Sequence, residues 1–384
     1  MGHMKFCLTN LYSVPSSMKI IYCIHGLKNS GGMERVITVK ANYLAEHYGH
    51  EITIITLNST DLSYFSLSDK IKIKAFDGSQ LGQVVKFVNE IKPDIFISSG
   101  GKEIKILPYL SSIIFKVVEI HFCFQYPILR EIAAGNNFFL QFYATLKLLR
   151  YMFYLNFANV VVSLTEKDSR KWQQCLFTSK VITIGNPVPH ISHKQFLVQK
   201  KQDGHDINKF IAIGRLDNQK GFHDLIKICG LLVDKYSCSE WSLDIYGEGD
   251  LLQKLEKDIL KSGLQDRVRI LPPVSDLSDI YLNSKALLMT SYYEGMPMVM
   301  LEALSFGVPC ISFDCDSGPS ELLVNNVNGF LIKDRSCDEF AAKMKWFVES
   351  DHDKILEMRS ESLRYIERYK IDKIMSKWDL LITH

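Results

Sequence analysis

Long apolar runs are missing from this 384-residue chain: none is uninterrupted over the ~20 residues that a bilayer demands, so no membrane-spanning helix is expected. Charge of one sign is missing too. Forty-five Lys and Arg against 43 Asp and Glu leave a net charge of +2, which gives no electrostatic case for nucleic acid as a partner. Paired cysteines are absent: the nine present are scattered, odd in number and without metal-type spacing, which favours free thiols in a reducing compartment, the cytoplasm by default. The start has no apolar core followed by a cleavage site, so no secretory signal is expected. Internal repeats and low-complexity segments are also lacking, which argues against a repeat array.

What remains is a globular chain, 47% hydrophobic and 23% charged, too long for one ordinary core and suited to two domains. Met18–Ile24 is a short apolar run followed by Asn29-Ser-Gly-Gly32, a helical pattern over 33–47 and a strand at 52–57, which together make a βαβ unit. Further strands are expected at 71–75, 94–98, 116–121, 159–163 and 180–184. With helices between most of them, residues 18–185 read as a parallel sheet covered on both faces. Periodicity vanishes over 186–208, the expected linker. It restarts at Lys209 and alternates to about residue 350, a second doubly wound domain. Amphipathic helices then run from about 353 to 384.

The stretch Glu294-Gly-Met-Pro-Met-Val-Met-Leu-Glu302 places two carboxylates where a bland fold would not. Pro297 suits a helix start, which puts Glu302 about a turn and a half inside a helix that is apolar on nearly all faces. A carboxylate so placed needs a partner. It is either an Arg elsewhere in the chain or a ligand's hydroxyls, and the free amides at the helix start offer donors beside it.

In open α/β sheets ligands sit at the carboxyl ends of strands, so the loops there carry the remaining candidates. Gly214-Arg-Leu-Asp-Asn-Gln-Lys-Gly221 supplies Arg215 and Lys220, charge-assisted donors for a diphosphate or else two solvated surface charges. Gly247-Glu-Gly249 lacks the third glycine of a dinucleotide fingerprint, which disfavours a nicotinamide cofactor. Gly31 and Gly32 open a helix start to a phosphate or hydroxyl, or form an ordinary turn; Glu34 and Arg35 read as helix-start charges. His121 ends a strand, as a structural or a catalytic side chain.

Glu294-x7-Glu302 in its Gly-Met-Pro…Glu-Ala-Leu frame, together with Arg215-x4-Lys220, resembles the signature of the family 4 glycosyltransferases, and the resemblance spans nearly all of residues 18–350. It implies the GT-B fold: two doubly wound Rossmann-like domains facing across a cleft, the first binding the acceptor and the second the nucleotide-sugar, with the C-terminal helices packed back on the first. It implies a retaining transferase without an essential metal or other cofactor. Arg215 and Lys220 would neutralise the departing diphosphate and His121 would contact the transferred sugar. Glu294 would orient sugar hydroxyls, and Glu302 those of the ribose. Gly31, Gly32, Gly247, Val274, Gly295, Met296, Pro297, Met298 and Val299 would complete the donor site. Asp314-Cys-Asp316 matches a metal motif of a different glycosyltransferase fold, and the resemblance sets it aside. Ser317-Gly-Pro319 leading to Glu321 resembles transferases that use uridine diphosphate sugars, a hexose or N-acetylhexosamine.

Two alternatives stay open: a GT-B sugar-nucleotide epimerase and a non-catalytic nucleotide-sugar-binding subunit. The acceptor is expected to be a glycan or a lipid-linked sugar in cell-surface polysaccharide or glycoconjugate synthesis. The segment 138–157, aromatic with Lys147 and Arg150, suits a helix lying on the inner face of the cytoplasmic membrane, or a helix buried in the first domain.

Overall fold

The computed structural model describes residues 17–29, 31–135, 137–188, 208–274 and 276–383. Most of the expected linker lies outside these residues. The first half runs β1 (Lys19–Ile24), α1 (Gly32–Glu46), β2 (Glu51–Thr56), β3 (Lys72–Ala75), α2 (Leu81–Ile91), β4 (Ile95–Ser98), β5 (Phe115–Ile120), α3 (Tyr126–Ala133), α4 (Phe138–Leu155), β6 (Val160–Ser163), α5 (Glu166–Cys175) and β7 (Lys180–Thr183). The second runs β8 (Lys209–Ile213), α6 (Phe222–Asp234), β9 (Ser242–Tyr246), α7 (Leu252–Lys261), β10 (Val268–Leu271), α8 (Ser278–Leu282), β11 (Ala286–Met289), α9 (Met298–Ser305), β12 (Cys310–Phe313), α10 (Pro319–Leu322), β13 (Gly329–Ile332) and α11 (Cys337–Glu349). Helices α12 (His352–Ile366) and α13 (Ile371–Thr383) follow.

The strands form two wholly parallel sheets, ordered β3-β2-β1-β4-β5-β6-β7 and β10-β9-β8-β11-β12-β13. Helices on both faces explain why β4, β6, β11 and β12 are buried along their whole length and read as continuous apolar runs. Strand order reverses between β1 and β4 and between β8 and β11, so each sheet opens a crevice where its central strands end.

Helix α9 begins one residue later than the sequence suggests, with Pro297 in extended conformation just ahead of it, and Met300–Ser305 are all buried. One core cluster runs from α1 and β1 through Ile184 and Val188 to Met296, Met300 and Trp378, joining the two halves. Helix α13 packs against α1 of the first half. Helix α4 departs from the buried alternative: only Ala144, Leu148 and Leu155 are buried, because a helix with apolar residues round much of its surface still has one apolar side left over once it has packed. Among the described residues no helix is long and apolar enough to cross a membrane.

Candidate active site

The loop after β8 carries its two cations into different surroundings. Asp217 accepts from the Lys220 amide and fixes a single 3-10 turn, Asn218–Lys220. Gly214 has no side chain to obstruct Lys220, whose aliphatic stem lies across it: a Cβ there would sit 3.0 Å from Lys220 Cε. Lys220 Nζ thereby reaches Glu294 Oε1 at 2.7 Å, with both side chains largely buried. The loop is tied to the one after β11, since the Gln219 side-chain amide donates to the Tyr293 carbonyl at 3.1 Å. Arg215 instead stays 73% exposed, held by Asp217 at 3.2 Å.

From the first half, β5 carries Glu119 one residue before its end, with His121 two residues on and on the same side of the sheet. Glu119 pairs through both oxygens with Lys40 of α1, and Lys40 lies over the Trp378 ring of α13, 4.4 Å from its centroid. His121 Nε2 stands 3.5 Å from Glu119 Oε1. Burial would raise the Glu119 carboxyl, but Lys40 and His121 outweigh it and hold it at about 2. Glu34 faces the cleft nearby. Its carboxyl is pushed up by burial, against the opposing pull of its own amide, His121, Arg215 and His25.

The halves meet directly. Arg35 donates to Glu302, whose second oxygen accepts from the Tyr281 hydroxyl at 3.2 Å. Burial still raises the Glu302 carboxyl despite both partners. Gly32 lies against Met298: a Cβ there would be 3.2 Å from Met298 Cγ, so the N-termini of α1 and α9 face one another with no side-chain cap on either. Gly295 presses on the first half so closely that a Cβ would come 2.3 Å from the His121 carbonyl oxygen. Lys171 binds Asp316 at 2.6 Å and Thr165 bonds Ser317 at 2.7 Å further along the seam.

The structure therefore brings Gly31, Gly32, His121, Arg215, Lys220, Glu294, Gly295, Met298 and Glu302 together where the two halves meet, with Pro297 and Val299 at the start of α9, whereas Met296 is buried in the core against Gly185 and Tyr369. Glu302 takes its partner from the other half of the chain, the Arg alternative. The close approach at Gly247 is to protein: a Cβ would lie 2.0 Å from the Gly214 carbonyl oxygen. Val274 is 42% exposed. Asp314 is open to solvent while Asp316 is taken by Lys171, so the two do not share a site. Sequence reasoning set Arg35 and Glu34 aside as helix-start charges and missed Lys40, Glu119 and Tyr281. An Arg at the start of α1, beside a glycine loop already under suspicion, was the one available signal.

Residues 194–367 match the family described as glycosyl transferases group 1. The chain is a glycosyltransferase. This glycosyltransferase is 28% identical over 340 residues to the amylovoran biosynthesis glycosyltransferase AmsD of Erwinia amylovora, covering 87% of this chain and 91% of the relative. It is 25% identical over 374 residues to an alpha-1,4-N-acetyl-D-galactosaminyltransferase of Campylobacter jejuni, covering 95% and 98%. Its fold is similar to that of TarM of S. aureus, with TM-score 0.75, 18% identity and coverage of 96% of this chain and 100% of that one. HepE of Anabaena, solved with UDP and glucose, matches with TM-score 0.74 at 18% identity over 95% and 99% of the two chains. These neighbours are GT-B glycosyltransferases, and the two Rossmann-like sheets are that fold.

Proposed function

We propose that this glycosyltransferase moves a hexose or N-acetylhexosamine from a uridine diphosphate sugar to a glycan or lipid-linked acceptor in polysaccharide or glycoconjugate synthesis, with retention of configuration. The observation that carries the reading is the Lys220–Glu294 pair, set beside His121 and the facing starts of α1 and α9. A diphosphate entering the cleft exchanges Glu294 for phosphate oxygens on Lys220. That frees Glu294 for sugar hydroxyls. As the bond from the anomeric carbon to the diphosphate oxygen breaks, Lys220, Arg215 and the free amides of Met298 and Val299 take up the negative charge. The acceptor hydroxyl bonds to the anomeric carbon from the same face, and its proton passes to the departing phosphate oxygen. Glu302 orients the ribose hydroxyls, and His121 contacts the sugar.

The relatives lend support by their names: one is an N-acetylgalactosaminyltransferase acting on an undecaprenol-linked glycan, another a poly(ribitol-phosphate) alpha-N-acetylglucosaminyltransferase. The cleft needs no metal to balance the diphosphate in this reading, since two cations and two helix starts are present. A panel of nucleotide-sugars, assayed for nucleoside diphosphate release and sugar identity, tests it. Release of uridine diphosphate from one donor, lost in Lys220→Ala and Glu294→Ala, is the expected result. Conversion of one nucleotide-sugar into another, or binding without turnover even with lipid-linked acceptors, would overturn it.

A further inference from the structure

Helix α4 turns its apolar side to water. Phe138, Phe139, Phe142, Leu146, Leu149 and Phe153 are 75, 80, 55, 46, 56 and 59% exposed, and at the helical repeat they fall within an arc of about 100°. Arg150, Tyr143 and Lys147 follow in that order around one border of the stripe, with Lys147 Nζ over the Tyr143 ring at 4.5 Å. Phe177, 92% exposed, extends the patch at the helix end, its amide held by Asn156 at 2.8 Å. An apolar face of this size is a contact surface in waiting.

The charges say what covers it. From Phe138 to Phe157 the chain has no Asp or Glu. A second copy would present the same acid-free stripe, so Lys147 and Arg150 would meet no carboxylate on it. A bilayer with anionic headgroups supplies both the apolar depth for the phenylalanines and the opposite charge at its border, where Tyr, Lys and Arg place their polar ends. A groove of about 460 Å³ opens along that border, lined by Leu81, Val85, Ile106, Tyr109 and Tyr154, with Lys105 as the one charged residue. Its apolar walls and single cation suit part of an acyl chain and its phosphate.

We infer that the outward face of α4 docks this enzyme on an anionic phospholipid surface, the phenylalanines entering the acyl boundary and Lys147 and Arg150 lying at headgroup level. Helix α3 joins this face to the cleft, because the Tyr126 ring packs on Tyr293, next to Glu294, at 5.6 Å. An acceptor held in the same leaflet is thereby presented near His121. The docking itself stands apart from the choice of donor and is measured without turnover.

The full chain is sedimented with vesicles of phosphatidylcholine alone and of phosphatidylcholine mixed with phosphatidylglycerol. Binding is expected to the mixed vesicles, weakened by salt. Lys147→Glu with Arg150→Glu should weaken it roughly tenfold or more, and Phe139→Ser with Phe142→Ser and Leu146→Ser at least as much. Phe142→Trp keeps the face apolar. Relative to the parent, this variant should gain emission that shifts to the blue on mixed vesicles and is quenched by brominated lipid, which decides the matter even if the serine variant folds poorly. Absence of vesicle binding, or an added tryptophan emission that vesicles leave unchanged, overturns the inference. A dimer dispersed by the serine substitutions, without vesicle binding, assigns the face to a second copy instead.

Discussion

Arg35, in the first turn of α1, is bonded to Glu302, buried in α9 of the other half of the chain, so one ion pair spans the cleft where the donor's ribose is proposed to sit. Donor and arginine then compete for one carboxylate. Arg35→Met is expected to lower the donor KM about threefold to tenfold while leaving kcat nearly unchanged, because the competent state no longer has to be released from the pair. Steady-state kinetics at varied donor concentration check this; a raised KM would make Arg35 a donor contact itself.

The two cations of the β8 loop should separate by what they do at rest. Arg215 is exposed and Lys220 is buried against Glu294. Arg215→Met is expected to leave stability within ~1 kcal/mol of the parent, as surface pairs do, yet to lower kcat about 10²-fold through lost charge on the leaving diphosphate. Lys220→Met should lower both, since Glu294 is left unpaired. Urea unfolding alongside turnover distinguishes the pair.

Lys40 and Glu119 sit fully inside the first half, and a buried charge without its partner is costly. Lys40→Met and Glu119→Leu should each destabilise by roughly 3–5 kcal/mol, and the double variant by much less than their sum. Additive losses in a double-mutant cycle would show that the two are not coupled.

Acid should act through the same pair. Glu119 has a folded value of about 2 against an ordinary 4.5, so between these the unfolded chain holds the extra proton. Its contribution is present in full above pH 4.5 and is lost as pH falls toward 2. Glu302, raised by burial, runs the other way, its effect appearing as pH rises through the ordinary carboxylate range. Unfolding free energies of the parent should therefore fall on acidification more steeply than those of Glu119→Gln; parallel slopes would remove Glu119 as the cause.

At Gly247 a methyl group would lie 2.0 Å from the Gly214 carbonyl oxygen. Gly247→Ala is expected to cost about 1–3 kcal/mol of stability, equally with and without donor. A loss confined to donor binding would return Gly247 to the donor site.

The sheets were legible because each central strand is a continuous apolar run, and such runs admit few other readings. Glu302 announced its need for a partner through its apolar neighbours, but nothing local names Arg35, which is 267 residues away. Lys40 hid for a like reason: on an amphipathic helix an isolated lysine reads as solvated, and only the fold sets Glu119 opposite it. In α4 apolar residues run round much of the surface, so periodicity had little contrast from which to tell the packed side from the exposed one. The glycines of the β9 loop signalled a close approach without saying to what.

Trp378 belongs to α13, yet the lysine it covers lies in α1. The order of synthesis thus matters to this protein. A nascent chain that has made both sheets, but not the 13 residues of α13, lacks the ring that covers Lys40. Packing of α1 is therefore completed only by α13, and chains stopped before Ile371 should betray themselves to proteases at α1.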